Sequence, residues 1–274
     1  MSLLKIKLKN KSYLCKYKPP YPKGLVYLTY FEDVKDTDIT INPKSIIGPA
    51  GTYRDTNGMS GASTSNIPDG VYQGVPSLAF SNLSSLFSSL YDDNYNPCTL
   101  LDSLFKSNVS ISIETTLYIG SFDNQLNPWQ GIGISFITGK YFTLGINTYT
   151  YERGIMIGFP SWNTPIASSG FHYYYPDGNN AVSFSSDDYR ERVKTGLHHL
   201  AIVIDRNKNQ LRGYIDGILV GTMNTTIVDQ IYKVGLYNNL NRSILTTQFA
   251  IFAEDRSTND GNSYPVPQKP YVKF

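Results

Sequence analysis

The order of apolar and polar positions in "TGLHHLAIVIDRNKNQLRGYIDGILVGTMN", residues 195 to 224, predicts three consecutive β-strands. His198, Leu200, Ile202 and Ile204 alternate with Leu197, His199, Ala201 and Val203, so both faces of the first strand are largely apolar. A strand of that kind is covered on two sides. The polar run "DRNKNQ" follows as a loop, and "LRGYI" and "ILVGT" then flank Asp216 and Gly217, a dipeptide that tolerates the positive φ angles of a two-residue type I′ turn. Such a turn sets Ile215 opposite Ile218, Gly213 opposite Val220 and Leu211 opposite Thr222. The predicted hairpin therefore has a mostly apolar inner face, with Arg212, Tyr214, Leu219 and Gly221 on the other.

Helical period is scarce by comparison. In "SNLSSLFSSLYDDNYNPCTLLDSLFKSN", Leu83, Leu86, Phe87 and Leu90 recur at helical spacing, and Leu100, Leu101, Leu104 and Phe105 follow Thr99, with Asp102 three residues after that cap. One or two short helices closing a mouth of the fold are expected there; an ordered loop with buried leucines is the alternative.

A strand opening on paired histidines, a short polar loop and a strand ending "YIDGILVGT" together resemble the signature of the laminin-G-like, concanavalin-A-like jelly rolls, with Leu197 where that family usually carries Trp. Three further segments resemble the family's strands: "GVPSLAFSN" an early one, "NVSISIETTLYIGSF" a middle one and "TTQFAIFAED" the closing one. The resemblance implies an all-β fold, a two-sheet antiparallel β-sandwich. A length of 274 residues is ordinary for one large sandwich, and the abundance of Tyr and Gly, 22 of each, suits short strands joined by turns. The expected division is a basic arm over 1–23, the jelly roll over 24–262 and a Pro-rich tail over 263–274, "SYPVPQKPYVKF" being extended and able to lie across a neighbour.

Charge singles out the N-terminus. "MSLLKIKLKNKSYLCKYKPPYPK" holds seven Lys and no acid. Read as one extended strand, it puts Lys5, Lys7, Lys9 and Lys11 on one side and Leu4, Ile6 and Leu8 on the other. An edge strand guarded by lysines is one reading, and a docking arm that adds a strand to a neighbouring subunit or meets an acidic surface is the other. "PPYP" reads as a stiff connector. The net charge of the whole chain is only +2, which argues against a general nucleic-acid binder. No stretch approaches the roughly 18 to 20 apolar residues of a membrane span, and the basic segment makes a poor signal peptide, so synthesis in the cytosol is expected. Cys15 and Cys98 are expected as free thiols.

Each cluster of polar residues is a candidate for catalytic chemistry. The strand carrying His198 and His199 offers only Asp205, seven residues along from His198 and therefore about 20 Å away, so no local dyad is expected and the pair reads as architecture. In the related fold family the paired His is likewise a fold marker. His172, in "FHYYYPDG", reads as surface contact. Glycosidases of this fold carry E-x-D-x-x-E to set two carboxylates about 5 Å apart; none of the five Glu heads that motif, and Glu32, Asp33, Asp36, Asp187, Asp188, Glu191, Glu254 and Asp255 read as solvated turns. The expectation is no enzyme and no cofactor. Some proteins of the resembled family hold Ca²⁺ at a sandwich edge, for which Asp92, Asp93 and Asn94, or Asp177, Asn179 and Asn180, would be the candidates.

Aromatic residues in polar loops remain: Trp129, Tyr149, Tyr151, Trp162, Tyr173, Tyr174 and Tyr175. Such rings supply large contact area with a polar handle, and they stack on sugars. Two functions fit them. The first is a structural or attachment protein of a phage virion (capsid decoration, head fibre or tail component), homo-oligomeric, released from a host cytoplasm and contacting other subunits or a cell-surface glycan. The second is a free-standing carbohydrate-binding lectin.

Overall fold

Turn residues divide the chain into antiparallel strands in the computed structural model, which describes residues 6–8, 11–13, 22–30, 40–41, 45–47, 53–54, 62–80, 103–104, 107–120, 132–138, 153–158, 170–174, 182–184, 195–224, 233–238 and 244–271. The first strands are β1 (Ile6–Leu8), β2 (Lys11–Tyr13), β3 (Leu25–Tyr30), β4 (Thr40–Ile41), β5 (Ser45–Ile47) and β6 (Tyr53–Arg54). Then come β7 (Ala62–Asn66), β8 (Pro76–Phe80), β9 (Ile111–Ile119), β10 (Ile132–Thr138), β11 (Arg153–Gly158), β12 (Gly170–Tyr174) and β13 (Val182–Phe184). The last are β14 (Gly196–Asp205), β15 (Gln210–Ile215), β16 (Ile218–Asn224), β17 (Lys233–Asn238) and β18 (Ile244–Phe252).

Two sheets form the sandwich. The larger runs β16-β15-β14-β9-β18-β3-β5, with β8 also on β18 and β7 on β8, and the smaller runs β13-β12-β11-β10-β17. Strands β10 and β11 lie against β14, β11 against β15 and β12 against β16. The resembling segments took their expected places, as β8, β9, β14 to β16 and β18. The core of the large sheet sits on β9, β14 and β18, where burial is nearly continuous because both faces are covered. One face of β14 turns to the small sheet. The other face, with Ala201 and Val203, packs with Tyr214 and Tyr264.

The Asp216–Gly217 turn has φ of 49° and 81°, the left-handed pair that a type I′ turn requires. It keeps Ile215 opposite Ile218, but a bulge then shifts the register: Gly213 faces Gly221 and Leu211 faces Met223, in place of the Val220 and Thr222 expected. The inner and outer faces predicted for this hairpin also merge, since Arg212 and Tyr214 are buried along with Leu211 and Ile215.

The N-terminal reading needs a similar correction. The lysine-rich segment is not one continuous strand but a hairpin, with Ile6 opposite Tyr13 and Leu8 opposite Lys11, so the chain reverses between Leu8 and Lys11. Most of the predicted helical stretch lies outside the described residues; Ser103 and Leu104 have helical backbone and Leu104 is buried. A short 3₁₀ turn, Gly70–Tyr72, was not foreseen.

Candidate functional site

Glu114 sits in the middle of β9, where its cross-strand neighbours are Ala201 on β14 and Ala250 on β18. Two small neighbours leave a well over this position, and the chain beyond β18 fills it. Arg256 Nη1 donates to Glu114 Oε2 at 2.8 Å and Tyr264 OH to the same oxygen at 2.6 Å, while Tyr271 OH donates to Oε1. Arg256 Nη1 also reaches Tyr271 OH at 2.8 Å, and its guanidinium lies 4.0 Å from the centroid of the Phe252 ring. The Tyr264 ring stacks on His199 with centroids 5.6 Å apart, and His199 Nε2 lies 3.7 Å from Glu114 Oε2, within ion-pair reach but too far for a hydrogen bond.

Glu114 is wholly buried, so this is a closed polar cluster beneath the C-terminal segment. Burial pushes its carboxyl up, but His199, Arg256 and Tyr264 more than offset that and hold it below the usual carboxylate range. The reverse holds for the phenols around it. Burial and the Glu114 charge raise Tyr264 and Tyr271 well above the ordinary tyrosine range, and Tyr72 is pushed up to about 12, first by burial. Arg256, despite its burial, is held more firmly protonated by Glu114.

A second bridge crosses nearby with the signs exchanged. Arg212 Nη2 donates to Asp205 Oδ2 at 3.0 Å and to Asp255 Oδ2. Consecutive residues Asp255 and Arg256 thus meet Arg212 and Glu114 on the sheet, an arrangement that fixes the register of the segment that follows. Asp255, read from the sequence as a solvated turn residue, is part of this pairing, and the Tyr264 ring is buried against the sheet of its own chain.

The histidines do have carboxylate partners, contrary to the expectation drawn from their own strand. His198 Nδ1 lies 2.8 Å from Asp216 Oδ2, and Asp216 Oδ1 accepts from the His199 backbone N–H at 2.8 Å. The partners come from a turn and from a neighbouring strand, so distance along one strand said nothing about them. Glu114, Arg256, Tyr264 and Tyr271 were not singled out by sequence reasoning. The available signal was a lone carboxylate inside the otherwise uncharged run "ISIETTLYI", which in a doubly covered strand demands partners.

Other site expectations meet the structure unevenly. Tyr173 and Tyr174, expected in a polar loop, belong to β12, as does His172, which pairs with Met156 and Ser183 in the small sheet. Lys7 lies in β1 and Lys11 in β2. Trp129, Tyr149, Tyr151, Trp162, Tyr175, Lys5, Lys9, both cysteines and both calcium candidates lie outside the described residues. Among the described residues no group of three or more His, Cys, Asp or Glu could hold a metal ion, and no helix is long and apolar enough to cross a membrane.

No protein-family model matches the chain, and no curated protein matches it. Solved structures do. The binding domain of botulinum neurotoxin DC in complex with SialylT is similar at a TM-score of 0.50 and 13% identity, over 85% of this chain and 48% of that one. The HCR/D-Sa-GBL1/C structure is similar at 0.50 and 13%, over 85% and 49%. A Trypanosoma rangeli sialidase in complex with sialic acid gives 0.48 and 11%, over 84% of this chain and 31% of that one. The fold is a lectin-like β-sandwich. At these identities the likeness establishes the fold alone, and the chain spans about half the length of the first two of these chains.

Proposed function

We propose that this chain is a non-enzymatic binding module that presents a lectin-like β-sandwich to a glycan or protein partner, as a structural or attachment component of a phage virion synthesised in a host cytoplasm. The observation that carries the reading is the fold, which matches over 85% of the chain a binding domain solved in complex with SialylT. The polar chemistry supports it too. Among the described residues the carboxylate most richly supplied with acid–base partners, Glu114, has both oxygens engaged by its own chain and lies out of contact with solvent. The N-terminal hairpin, which pairs with no other strand among the described residues, suits a docking arm of an assembling subunit.

The second reading is a free-standing carbohydrate-binding lectin, favoured by the loop aromatics and by the SialylT in the neighbouring toxin domain. A glycoside hydrolase is a distant third. One experiment separates them: full-length chain and a variant lacking residues 1–23 are tested for sedimentation with virion particles and for binding to an immobilised glycan array. The assembly reading expects defined oligomers and particle binding that disappears with residues 1–23 while the sandwich stays folded. Glycan binding by a monomer, indifferent to that deletion, makes the lectin reading the correct one; hydrolysis of the arrayed glycans overturns both.

A further inference from the structure

Three side chains of the C-terminal segment, Arg256, Tyr264 and Tyr271, end on a single carboxylate, that of Glu114. Backbone contacts of this segment with the sheet are sparse. Among the described residues they include a bridge between Ile218 and Ser263, a bond from the Tyr264 N–H to the Gly217 carbonyl at 2.9 Å and one from the Leu219 N–H to the Asn262 carbonyl at 3.4 Å, beside bonds from the Arg256 N–H to Ser112 Oγ at 3.0 Å and from the Tyr214 hydroxyl to the Gly261 carbonyl at 2.8 Å. Beyond Tyr264 the segment reads Pro-Val-Pro-Gln-Lys-Pro, and three prolines without N–H groups cannot build a ladder. What holds it there is side-chain chemistry: Tyr72 OH to the Lys269 carbonyl at 3.3 Å, the Tyr271 N–H to Gln248 Oε1 at 3.4 Å, and the Tyr271 hydroxyl on Glu114.

We propose that Glu114 is the keystone of an acid-released strap: residues 256–271 stay closed over the outer face of the large sheet while this carboxylate is ionised, and lift together when it takes a proton. The inference goes beyond the binding reading and stands without it. Its logic is that one protonation weakens three anchors at once. A neutral carboxyl accepts less strongly from two phenols and must itself place a hydrogen, and the partly buried Arg256 is left without its counter-charge. Arg256 belongs to the strap, so lifting the strap returns that cation to water, whereas staying closed strands it. The charge-swapped pair beside it, Asp255 with Arg212, precedes the strap and marks where the hinge would lie.

The groups that face Glu114 are His199 from β14, Tyr72 from the 3₁₀ turn, and Arg256, Tyr264 and Tyr271 from the strap itself. Burial pushes the carboxyl up, but His199, Arg256 and Tyr264 together hold it below its ordinary range, so the strap is closed above that range and opens on the acid side of it. Opening uncovers an apolar strip made of Ala201, Val203, Leu28, Ala250 and Phe252.

Hydrogen exchange on the full chain, corrected for the intrinsic rate at each pH, reads the opening directly. The expected result is that the Tyr264 and Tyr271 amides lose at least a hundredfold in protection on acidification while amides of β9 and β14 keep theirs, and that Glu114→Gln shows the open pattern already at neutral pH. The Tyr264→Phe/Tyr271→Phe double variant removes two anchors while leaving the Glu114–Arg256 ion pair in place. It is expected to lose tenfold or more in strap protection at neutral pH, and with the wild-type pH series it decides the matter if E114Q does not fold. Simultaneous loss of strap and sheet protection at one pH, or wild-type protection in the double variant, overturns the keystone.

Discussion

Asp216 grips the histidine pair with both oxygens: its Oδ2 lies 2.8 Å from His198 Nδ1 and its Oδ1 takes the backbone N–H of His199 at 2.8 Å. In return the Asp216 N–H donates to the His199 carbonyl at 2.8 Å. The turn aspartate thus stitches the end of the hairpin to the start of the adjacent strand. Asp216→Asn tolerates the same left-handed backbone but loses the charge, so it is expected to lower unfolding free energy by about 1.5 to 3 kcal/mol, the range for a hydrogen bond to a charged group. Urea denaturation of the variant beside wild type measures it; equal midpoints would show that the grip contributes nothing.

Gly217 and Gly70 have φ of +81° and +75°, yet only the first is crowded: a Cβ on Gly217 would lie 2.8 Å from the Tyr264 carbonyl oxygen, and nothing lies within 4 Å of one on Gly70. Gly70→Ala therefore carries only the left-handed backbone penalty, roughly 1 kcal/mol. Gly217→Ala must also push the C-terminal segment away. Thermal unfolding is expected to rank G217A clearly below G70A, and equal losses would mean that the segment yields freely.

Arg256→Met strands the Glu114 charge in the interior. A loss of about 3 to 5 kcal/mol near neutral pH is expected, as for breaking one half of a buried pair. The sign of its pH dependence follows from linkage. In wild type the depressed Glu114 contributes stability that is present above the unfolded carboxylate range and is lost as pH falls through the folded value. In R256M the carboxylate has lost its cation, so the gap between variant and wild type should narrow in acid. Chemical denaturation at a series of pH values tests this, and a gap that widens toward low pH contradicts it.

Truncating residues 263–274 removes Tyr264, whose ring is buried between His199 and Tyr214. A loss on the order of 3 to 5 kcal/mol is expected, the range for deleting a large core ring. Removing 1–23 should leave the melting temperature of the sandwich almost unchanged. Calorimetry of the two truncations side by side distinguishes a structural segment from a dispensable tail.

For the lectin alternative, Trp162→Ala or Tyr174→Ala should weaken glycan binding by about 1 to 3 kcal/mol, as expected for a lost stacking ring. Calorimetric titration with a glycan bound by wild type is the measurement, and unchanged affinity in both variants removes these rings from any sugar site.

Much of the fold was legible because the strands of the large sheet announce themselves by local pattern. The alternation in 197–204 and the Asp-Gly turn specify a strand and a hairpin without reference to the rest of the chain, whereas 111–119 was legible as a strand only through its resemblance to a family segment. The hairpin register was legible only as far as the turn controls it: Ile215 and Ile218 pair as expected, and the bulge beyond them answers to packing on neighbouring strands. The N-terminal lysines misled for a related reason, since an alternating run reads alike whether the chain continues or doubles back.

By itself the sequence determined the strands and the turn of residues 197–222, because side-chain period and turn chemistry act over a few residues at a time, and its resemblance to a jelly-roll signature implied the class of structure. Only the tertiary structure decided that Glu114 meets Arg256, Tyr264 and Tyr271, that Arg212 meets Asp255, and that the proline-rich segment after β18 covers its own sheet. Those partners stand 142, 150, 157 and 43 residues apart. A buried charge states in the sequence that it needs a counterpart, but which residue arrives is set by how the strands stack and where the chain turns next.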